Sequence, residues 1–275
     1  MSFESSVSEI RRRIEGIETI EIRRCFQASF LFCARIGEVI SVKFPGDKTA
    51  NPTGLKLVAV ETVYVPDLVN LYEVQILMMR LLAMRGVSPS MEEIAKTKEP
   101  VALFTVSTEK RHGKERNIAL PLNPLYEPWS KPLLDYFLER KKEGGSVFPF
   151  DRQKMWREAR YFFKGFKCQI EGYRKIVKVD GQVQLNVKGK PQTVFIPEHV
   201  NPFGTHALRK LREDDLENNY GFDPIDISTY GGWTLRSKAG VSGSIDRYRT
   251  PRWQRYFAKL LKPISDLGTL STILE

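Results

Sequence analysis

Hydrophobic side chains recur at helical spacing within the first 35 residues. An apolar series with intervals of three or four residues comprises Ile22, Phe26, Phe30 and Cys33. This period puts the apolar side chains on one face of an amphipathic helix. The pattern predicts helices at 5–15 and about 18–35.

After the first two predicted helices, the hydrophobic pattern predicts strands and then two more helices. Runs rich in β-branched and aromatic residues predict strands at 55–65, 101–107 and 116–122. Helical spacing predicts helices at about 131–142 and 152–165, the second capped by Asp151.

The last third of the chain contains a hairpin signal and then a helical region. Residues 174–187 alternate apolar and polar positions around Asp180 and Gly181, a pair typical of two-residue hairpin turns. The residues from Pro202 onward are predicted to be helical to near the end of the chain. These elements together predict an α+β fold, mainly helical with small antiparallel sheets.

The chain has 275 residues and 41% hydrophobic content, enough to bury one large core. We expect a single domain over 1–275.

The most apolar run, 68–84, carries Glu73 and Arg80 and predicts a buried or partner-facing helix rather than a membrane span. The first residues lack the pattern of a secretory signal. The three cysteines lack metal-ligand spacing and predict free thiols in a reducing interior.

Charge narrows the class of partner. Lysine and arginine number 43 against 33 acidic residues, a net charge of +10. A basic excess favours a polyanion, because each neutralised phosphate releases counterions. Nucleic acid is the partner that this balance favours.

Two short stretches carry cationic groups that suit an anion. His206 and Arg209 are three residues apart at a predicted helix start and therefore share a face, beside the partial positive charge of a helix N-terminus. Arg35 ends the predicted helix 18–35, and Glu38 follows one turn later. Arg35 has either Glu38 or an external phosphate as its partner.

A basic turn joins the strands predicted at 101–107 and 116–122. Its cationic side chains are Lys110, Arg111, Lys114 and Arg116. A hairpin tip of this kind can enter a nucleic-acid groove, and it can equally be a solvated charged turn.

The acidic run at 212–219 is predicted to spread around a helix, which is unlike the converging carboxylates of a metal nuclease. A nucleotide-binding GxxxxGK[ST] loop is absent from the sequence.

Taken in chain order, these residues resemble the catalytic signature of the tyrosine recombinase (phage integrase) family. That signature runs Arg, Lys, His-x-x-Arg, His or Trp, and Tyr. The matching residues here are Arg35, Lys110, His206, Arg209, Trp233 and Tyr248. Each motif is weak alone, but six in the expected order and local setting are strong together.

The resemblance implies a catalytic role for each matching residue. Tyr248 is expected to attack DNA and form a 3′-phosphotyrosyl bond, which stores the bond energy and needs no metal, ATP or other cofactor. Arg35 and Arg209 are expected to hold the non-bridging phosphate oxygens. Trp233 is expected to donate its indole N–H to the phosphate. Tyr256 is a less favoured candidate for the nucleophile.

The resemblance also implies which residues transfer protons and which cations contact DNA. Lys110 is the expected general acid, with Lys114 as its rival. His206 is expected to assist proton transfer or to hold the phosphate, and Glu38 to orient Arg35 or His206. The cations expected to contact DNA are Arg111, Lys114, Arg116, Arg247 and Arg249. The last two flank Tyr248 and favour its phenolate form.

The match also departs from the family pattern. Fourteen residues separate Trp233 from Tyr248, more than is usual, and this spacer is compatible with delivery of Tyr248 to its own site or to a neighbour's. Residues 45–100 and 167–198 are expected to be insertions. The family's amino-terminal core-binding domain is expected to be absent.

The resemblance implies a site-specific recombinase or integrase of a virus, plasmid or other mobile element, acting on double-stranded DNA at attachment sites. We expect a tetramer on DNA and a cytoplasmic, nucleoid-associated location in a prokaryotic host. The carboxyl-terminal tail is expected either to dock on a neighbouring protomer or to pack within its own. The alternatives are a type IB topoisomerase-like enzyme and a non-catalytic DNA-binding protein.

Overall fold

The structure is a computed structural model. It describes residues 2–3, 7–40, 55–64, 98–107, 115–143, 147–170, 172–232 and 253–262. Its helices are α1 (Val7–Glu15), α2 (Ile20–Leu31), α3 (Ile36–Ile40), α4 (Ser130–Glu143), α5 (Arg152–Phe162), α6 (Thr205–Asn218), α7 (Pro224–Gly231) and α8 (Trp253–Leu260). Its strands are β1 (Ser2–Phe3), β2 (Leu55–Tyr64), β3 (Lys98–Ser107), β4 (Glu115–Pro121), β5 (Lys167–Ile170), β6 (Tyr173–Ile176), β7 (Lys178–Val179), β8 (Gln182–Val183), β9 (Thr193–Ile196) and β10 (His199–Pro202).

The fold is mixed α and β with small antiparallel sheets, as the sequence predicted. Strands β2, β3 and β4 form one antiparallel sheet in that order, with a bulge between Leu57 and Ala59. Asp151 caps α5 by accepting a hydrogen bond of 2.6 Å from the backbone N–H of Lys154. These predictions are confirmed because their signals are local: strand periodicity and an N-terminal cap.

The second predicted helix ends earlier than its apolar pattern indicated. It stops at Leu31, and Cys33 takes the left-handed conformation with φ 47°. A residue in this conformation ends a helix. Arg35 therefore does not end α2, as the sequence predicted, but lies just before the short helix α3.

A hairpin extends from the pair formed by β5 and β10. Its strands pair as β6 with β9 and β7 with β8. Asp180 and Gly181 form the predicted turn, with φ 50° and 80°. Two consecutive positive φ values match a type I′ turn, whose twist suits a two-residue hairpin. Most of the hairpin is exposed, including Leu185 and Phe195.

The core is built largely from aromatic side chains of α2, β3, α4 and α5. Phe32 packs against Phe104 with ring centroids 4.7 Å apart, and Phe26 packs edge-on against Phe163 at 5.3 Å. The apolar face predicted from Ile22 to Cys33 is buried in this core. Its burial holds α2 and the turn after it in a fixed position.

A buried ion pair joins α1 to the segment before α4. Both outer guanidinium nitrogens of Arg11 donate to the Glu127 carboxylate, at 2.9 and 2.6 Å. The guanidinium also lies over the Trp129 ring, 4.4 Å from its centroid. Of the helices that the structure describes, each is too short or too polar to cross a membrane.

Candidate functional site

Glu38 holds Arg35 at the start of α3. The Glu38 side chain is fully buried, and its carboxylate accepts hydrogen bonds from the Arg35 backbone N–H at 2.7 Å and from Arg35 Nη1 at 3.2 Å. The Arg35 side chain keeps 27% of its surface exposed. One end of Arg35 is therefore fixed by a buried charge, while its guanidinium still reaches solvent. Of the two roles expected for Glu38, the hydrogen bonds favour the orientation of Arg35.

The first turn of α6 carries His206 and Arg209. Gly204 precedes this helix in an extended conformation, so the helix begins where the sequence predicted. Arg209 is 3% exposed, and its Nη2 donates to the Gly231 carbonyl at 3.1 Å. The Cys33 thiol donates to the Arg209 carbonyl at 3.3 Å. Arg209 is thus connected both to the end of α7 and to the turn that leads into Arg35.

Two contacts bring Arg35 near His206 and Arg209, although α6 is far from α3 in sequence. The Cys33 thiol reaches the Arg209 carbonyl, and Ile36 and Thr205 line the same pocket. Burial lowers the pKa of His206, and the positive charges of Arg209, Lys210 and Arg35 lower it further. The His206 side chain is exposed at the surface, where these positive charges act on its imidazole. At neutral pH His206 is therefore uncharged and can accept a proton or a hydrogen bond.

Arg116 is buried behind the same cluster, which corrects the expectation that it lies on the surface of the basic turn. It is 8% exposed, and its Nη2 donates to the Phe32 carbonyl at 2.9 Å. Its Nε and Nη1 are buried without a hydrogen-bond partner among the described residues. Burial lowers its pKa, and the charge of Arg209 adds to this effect. A position on β4 that faces the core places this side chain inside the protein.

These side chains form a cationic cluster, defined here as Arg35, Arg116, His206 and Arg209. Burial lowers the pKa of Arg209, and Cys33 and Glu38 oppose this effect electrostatically. An arginine guanidinium nevertheless stays protonated in proteins. Three arginine charges thus meet two carboxylates, the buried Glu38 and the partly exposed Glu213, and Glu213 is itself paired with Lys210. This excess of positive charge, held on fixed elements, is suited to an anion such as phosphate.

The remaining predicted site residues lie outside the described part of the chain. They are Lys110, Arg111, Lys114, Trp233, Arg247, Tyr248 and Arg249. The structure therefore brings together Arg35, His206 and Arg209 of the six catalytic residues predicted, with Glu38 beside them. The chain enters the segment that begins with Trp233 directly after Gly232, next to the carbonyl that Arg209 holds.

Two tyrosines near this segment in sequence are engaged in the core. Tyr256 donates from its hydroxyl to the Asn117 carbonyl at 2.6 Å and accepts from the Ala119 N–H at 3.0 Å. Tyr230 donates to the Leu31 carbonyl. Burial raises the pKa of both phenols, that of Tyr230 to about 12. Neither group is exposed or readily ionised, so Tyr256 is unsuited to act as a nucleophile.

Two carboxylates of the acidic run on α6 are paired with cations of the same helix. Glu213 contacts Lys210 at 2.5 Å, and Asp215 contacts the buried Arg212 at 2.5 Å. The acidic run spreads around the helix as predicted, with Asp215 turned inward and only 2% exposed. Over the described ranges, groups of three or more histidine, cysteine or acidic side chains placed to hold a metal are absent.

Comparison with protein-family models, curated proteins and solved structures found no match for this chain. The family resemblance therefore rests on the sequence motifs alone.

The sequence interpretation missed a pocket beside the cationic cluster. The pocket has a volume of about 510 Å³, and its lining residues are Ile36, Arg152, Gln153, Trp156, Arg157 and Thr205. A signal was present, because Arg152, Trp156 and Arg160 recur every four residues along α5. The conformation of Cys33 had no such signal, since cysteine rarely adopts a positive φ.

Proposed function

We propose that this chain is a DNA strand transferase of the tyrosine recombinase type, which cleaves and rejoins DNA through a 3′-phosphotyrosyl intermediate. The observation that carries the proposal is the convergence of Arg35, His206 and Arg209. These three residues come from two distant segments, and the family motif assigns all three to the phosphate site.

The cluster supports the phosphate chemistry of this reaction. As Tyr248 attacks phosphorus, negative charge grows on the non-bridging oxygens, and the guanidinium groups of Arg35 and Arg209 stabilise that charge. Both are held by fixed hydrogen bonds to Glu38 and to the Gly231 carbonyl, so they need little reorganisation. Loss of one such preorganised donor typically costs about 10²–10³ in rate.

The lowered pKa of His206 supports a role in proton transfer. The Tyr248 hydroxyl forms a bond to phosphorus, and its proton passes to the neutral imidazole. The bond from phosphorus to the 5′-oxygen breaks, and that oxygen takes a proton from Lys110. The electron pairs balance because the phosphodiester is exchanged for a phosphotyrosyl ester, which the 5′-hydroxyl later attacks in reverse. The preserved bond energy allows the strand to be resealed.

The engaged hydroxyl groups of Tyr230 and Tyr256 support Tyr248 as the nucleophile. A tyrosine that attacks phosphorus must have a hydroxyl that reaches the DNA backbone. On this proposal the substrate is double-stranded DNA, and recombination requires four copies assembled across two sites.

Covalent trapping tests the proposal. The chain is incubated with a pool of nicked duplexes of random sequence, in which the short 5′-hydroxyl product diffuses away after cleavage. Adducts that survive denaturing gel electrophoresis are then quantified and sequenced. We expect adducts with the parent chain and none with Tyr248→Phe.

Tyr256→Phe is the matched control, because it removes a hydroxyl that contacts only backbone groups of β4. It is expected to retain the adduct. If the adduct persists in Tyr248→Phe and disappears in Tyr256→Phe, Tyr256 is the nucleophile and the assignment of Tyr248 is wrong. If the parent chain traps no DNA at any sequence, the proposed reaction is refuted.

A further inference from the structure

The pocket beside the cationic cluster is formed by three elements. Ile36 of α3 and Thr205 of α6 line it, together with residues from the first turns of α5. Ile36 directly follows Arg35, and Thr205 directly precedes His206. The pocket and the cationic cluster therefore share a rim. Its volume of about 510 Å³ lies within the range of small-ligand sites.

The wall contributed by α5 is both aromatic and cationic. Trp156 keeps 53% of its surface exposed, although it lines a concave site. The guanidinium of Arg160 lies 5.3 Å from its ring centroid. Tryptophan is highly buried on average, so an indole that is half exposed beside an arginine is unusual. A flat aromatic face beside positive charge suits a ligand with a planar ring and a negative group.

Gly37 allows α3 to lie against Arg152 at the edge of the pocket. A Cβ atom at this position would come within 2.4 Å of Arg152 Nη2. The guanidinium thus occupies the space that any other side chain at position 37 would need. This close approach places the Arg152 guanidinium against α3 at the wall of the pocket, where it adds a further positive charge.

We infer that this pocket takes one unstacked nucleobase of the DNA strand whose phosphate lies in the cationic cluster, with the base stacked on Trp156. The inference rests on the proposed function. A base and its own phosphate are joined through a single sugar, which matches a base pocket and a phosphate site with a common rim. The charge of α5 favours a polyanion over an uncharged aromatic ligand.

Binding to single strands with and without bases tests the inference. The probes are a fluorescein-labelled strand of roughly 20 thymidine nucleotides and the same backbone with every base replaced by an abasic spacer. Trp156→Ala is expected to weaken binding of the thymidine strand by roughly 5- to 150-fold, the range for one base–aromatic stack. It is expected to leave binding of the abasic strand unchanged.

Tyr161→Ala provides the matched control. Tyr161 lies on the same helix and is 73% exposed, but it does not line the pocket. It is expected to leave binding of both strands unchanged. Trp156→Phe retains an aromatic face and is expected to recover most of the lost affinity.

The outcomes separate the inference from the proposed function. If Trp156→Ala weakens both strands equally, or neither, the base pocket is refuted. If Arg35→Ala and Arg209→Ala still reduce binding in that case, the phosphate site and the proposed function stand. If neither strand binds the parent chain, the base pocket is refuted, whereas the proposed function is decided separately by covalent trapping on nicked duplex DNA.

Discussion

Removal of the Glu38 charge is the most direct test of the cationic cluster. Glu38→Gln keeps the size of the side chain and one oxygen that can accept from the Arg35 backbone N–H. The new amide nitrogen, however, presents a donor to the donors of Arg35. The substitution also leaves the arginines of the cluster without their buried counter-charge.

The contacts of Glu38 set the expected loss in the free energy of unfolding. The contact of 3.2 Å with Arg35 Nη1 is a charge-assisted hydrogen bond, worth about 1.5–3 kcal/mol. Breaking a fully buried ion pair costs about 3–5 kcal/mol. Because the Arg35 side chain is 27% exposed, we expect a loss near the lower end, about 3 kcal/mol in the free energy of unfolding. For a chain of this size that corresponds to roughly 6–12 °C in Tm.

Urea unfolding followed by tryptophan fluorescence measures this loss, first without and then with inorganic phosphate. Phosphate is expected to stabilise Glu38→Gln more than the parent chain, because an anion replaces the missing charge. The control is Glu213→Gln, which disrupts a partly exposed pair with Lys210 and is expected to cost less than about 1 kcal/mol. Equal losses in the two variants, or equal phosphate effects on Glu38→Gln and the parent, would falsify the assignment of an anion site.

The structure makes three further predictions. The His206 imidazole is expected to titrate below the ordinary histidine pKa in NMR spectra, and its pKa is expected to rise when phosphate binds. Because the pKa is lower in the folded state than in the unfolded state, His206 makes the free energy of unfolding fall as pH drops below about 6.5. Gly37→Ala is expected to retain the fold but to move the Arg152 guanidinium, weakening DNA binding several-fold in fluorescence anisotropy. Glu127→Gln is expected to lower the free energy of unfolding by about 3–5 kcal/mol in urea, because it leaves Arg11 buried without its counter-charge.

Each of these predictions has a control. His206→Asn identifies the imidazole resonance among the three histidines of the chain, and an unshifted pKa would contradict the proximity of Arg35. Gly181→Ala, in the exposed hairpin turn, should leave DNA binding unchanged. If it weakens DNA binding as much as Gly37→Ala does, the contribution of Arg152 to DNA binding is refuted. For Glu127, the exposed pair of Lys131 with Asp135 offers the comparison, and Asp135→Asn should cost less than about 1 kcal/mol.

The sequence alone predicted those features that depend on neighbouring residues. The helices, the paired strands β3 and β4, the cap at Asp151 and the hairpin turn at Asp180 and Gly181 all have local causes: side-chain period, capping hydrogen bonds and tolerance of positive φ. The order of the motifs also grouped Arg35, His206 and Arg209 in one proposed phosphate site, which stays a prediction.

The tertiary structure decided how these parts meet. The end of α2 was missed because Cys33 adopts a left-handed conformation while its thiol contacts Arg209, a residue far away in sequence. Arg116 was expected to contact DNA from the basic turn, but the packing of β4 buries it within the cationic cluster. Local pattern determines which element a residue joins, whereas burial, pKa and the shared rim of cluster and pocket depend on contacts that only the folded chain creates.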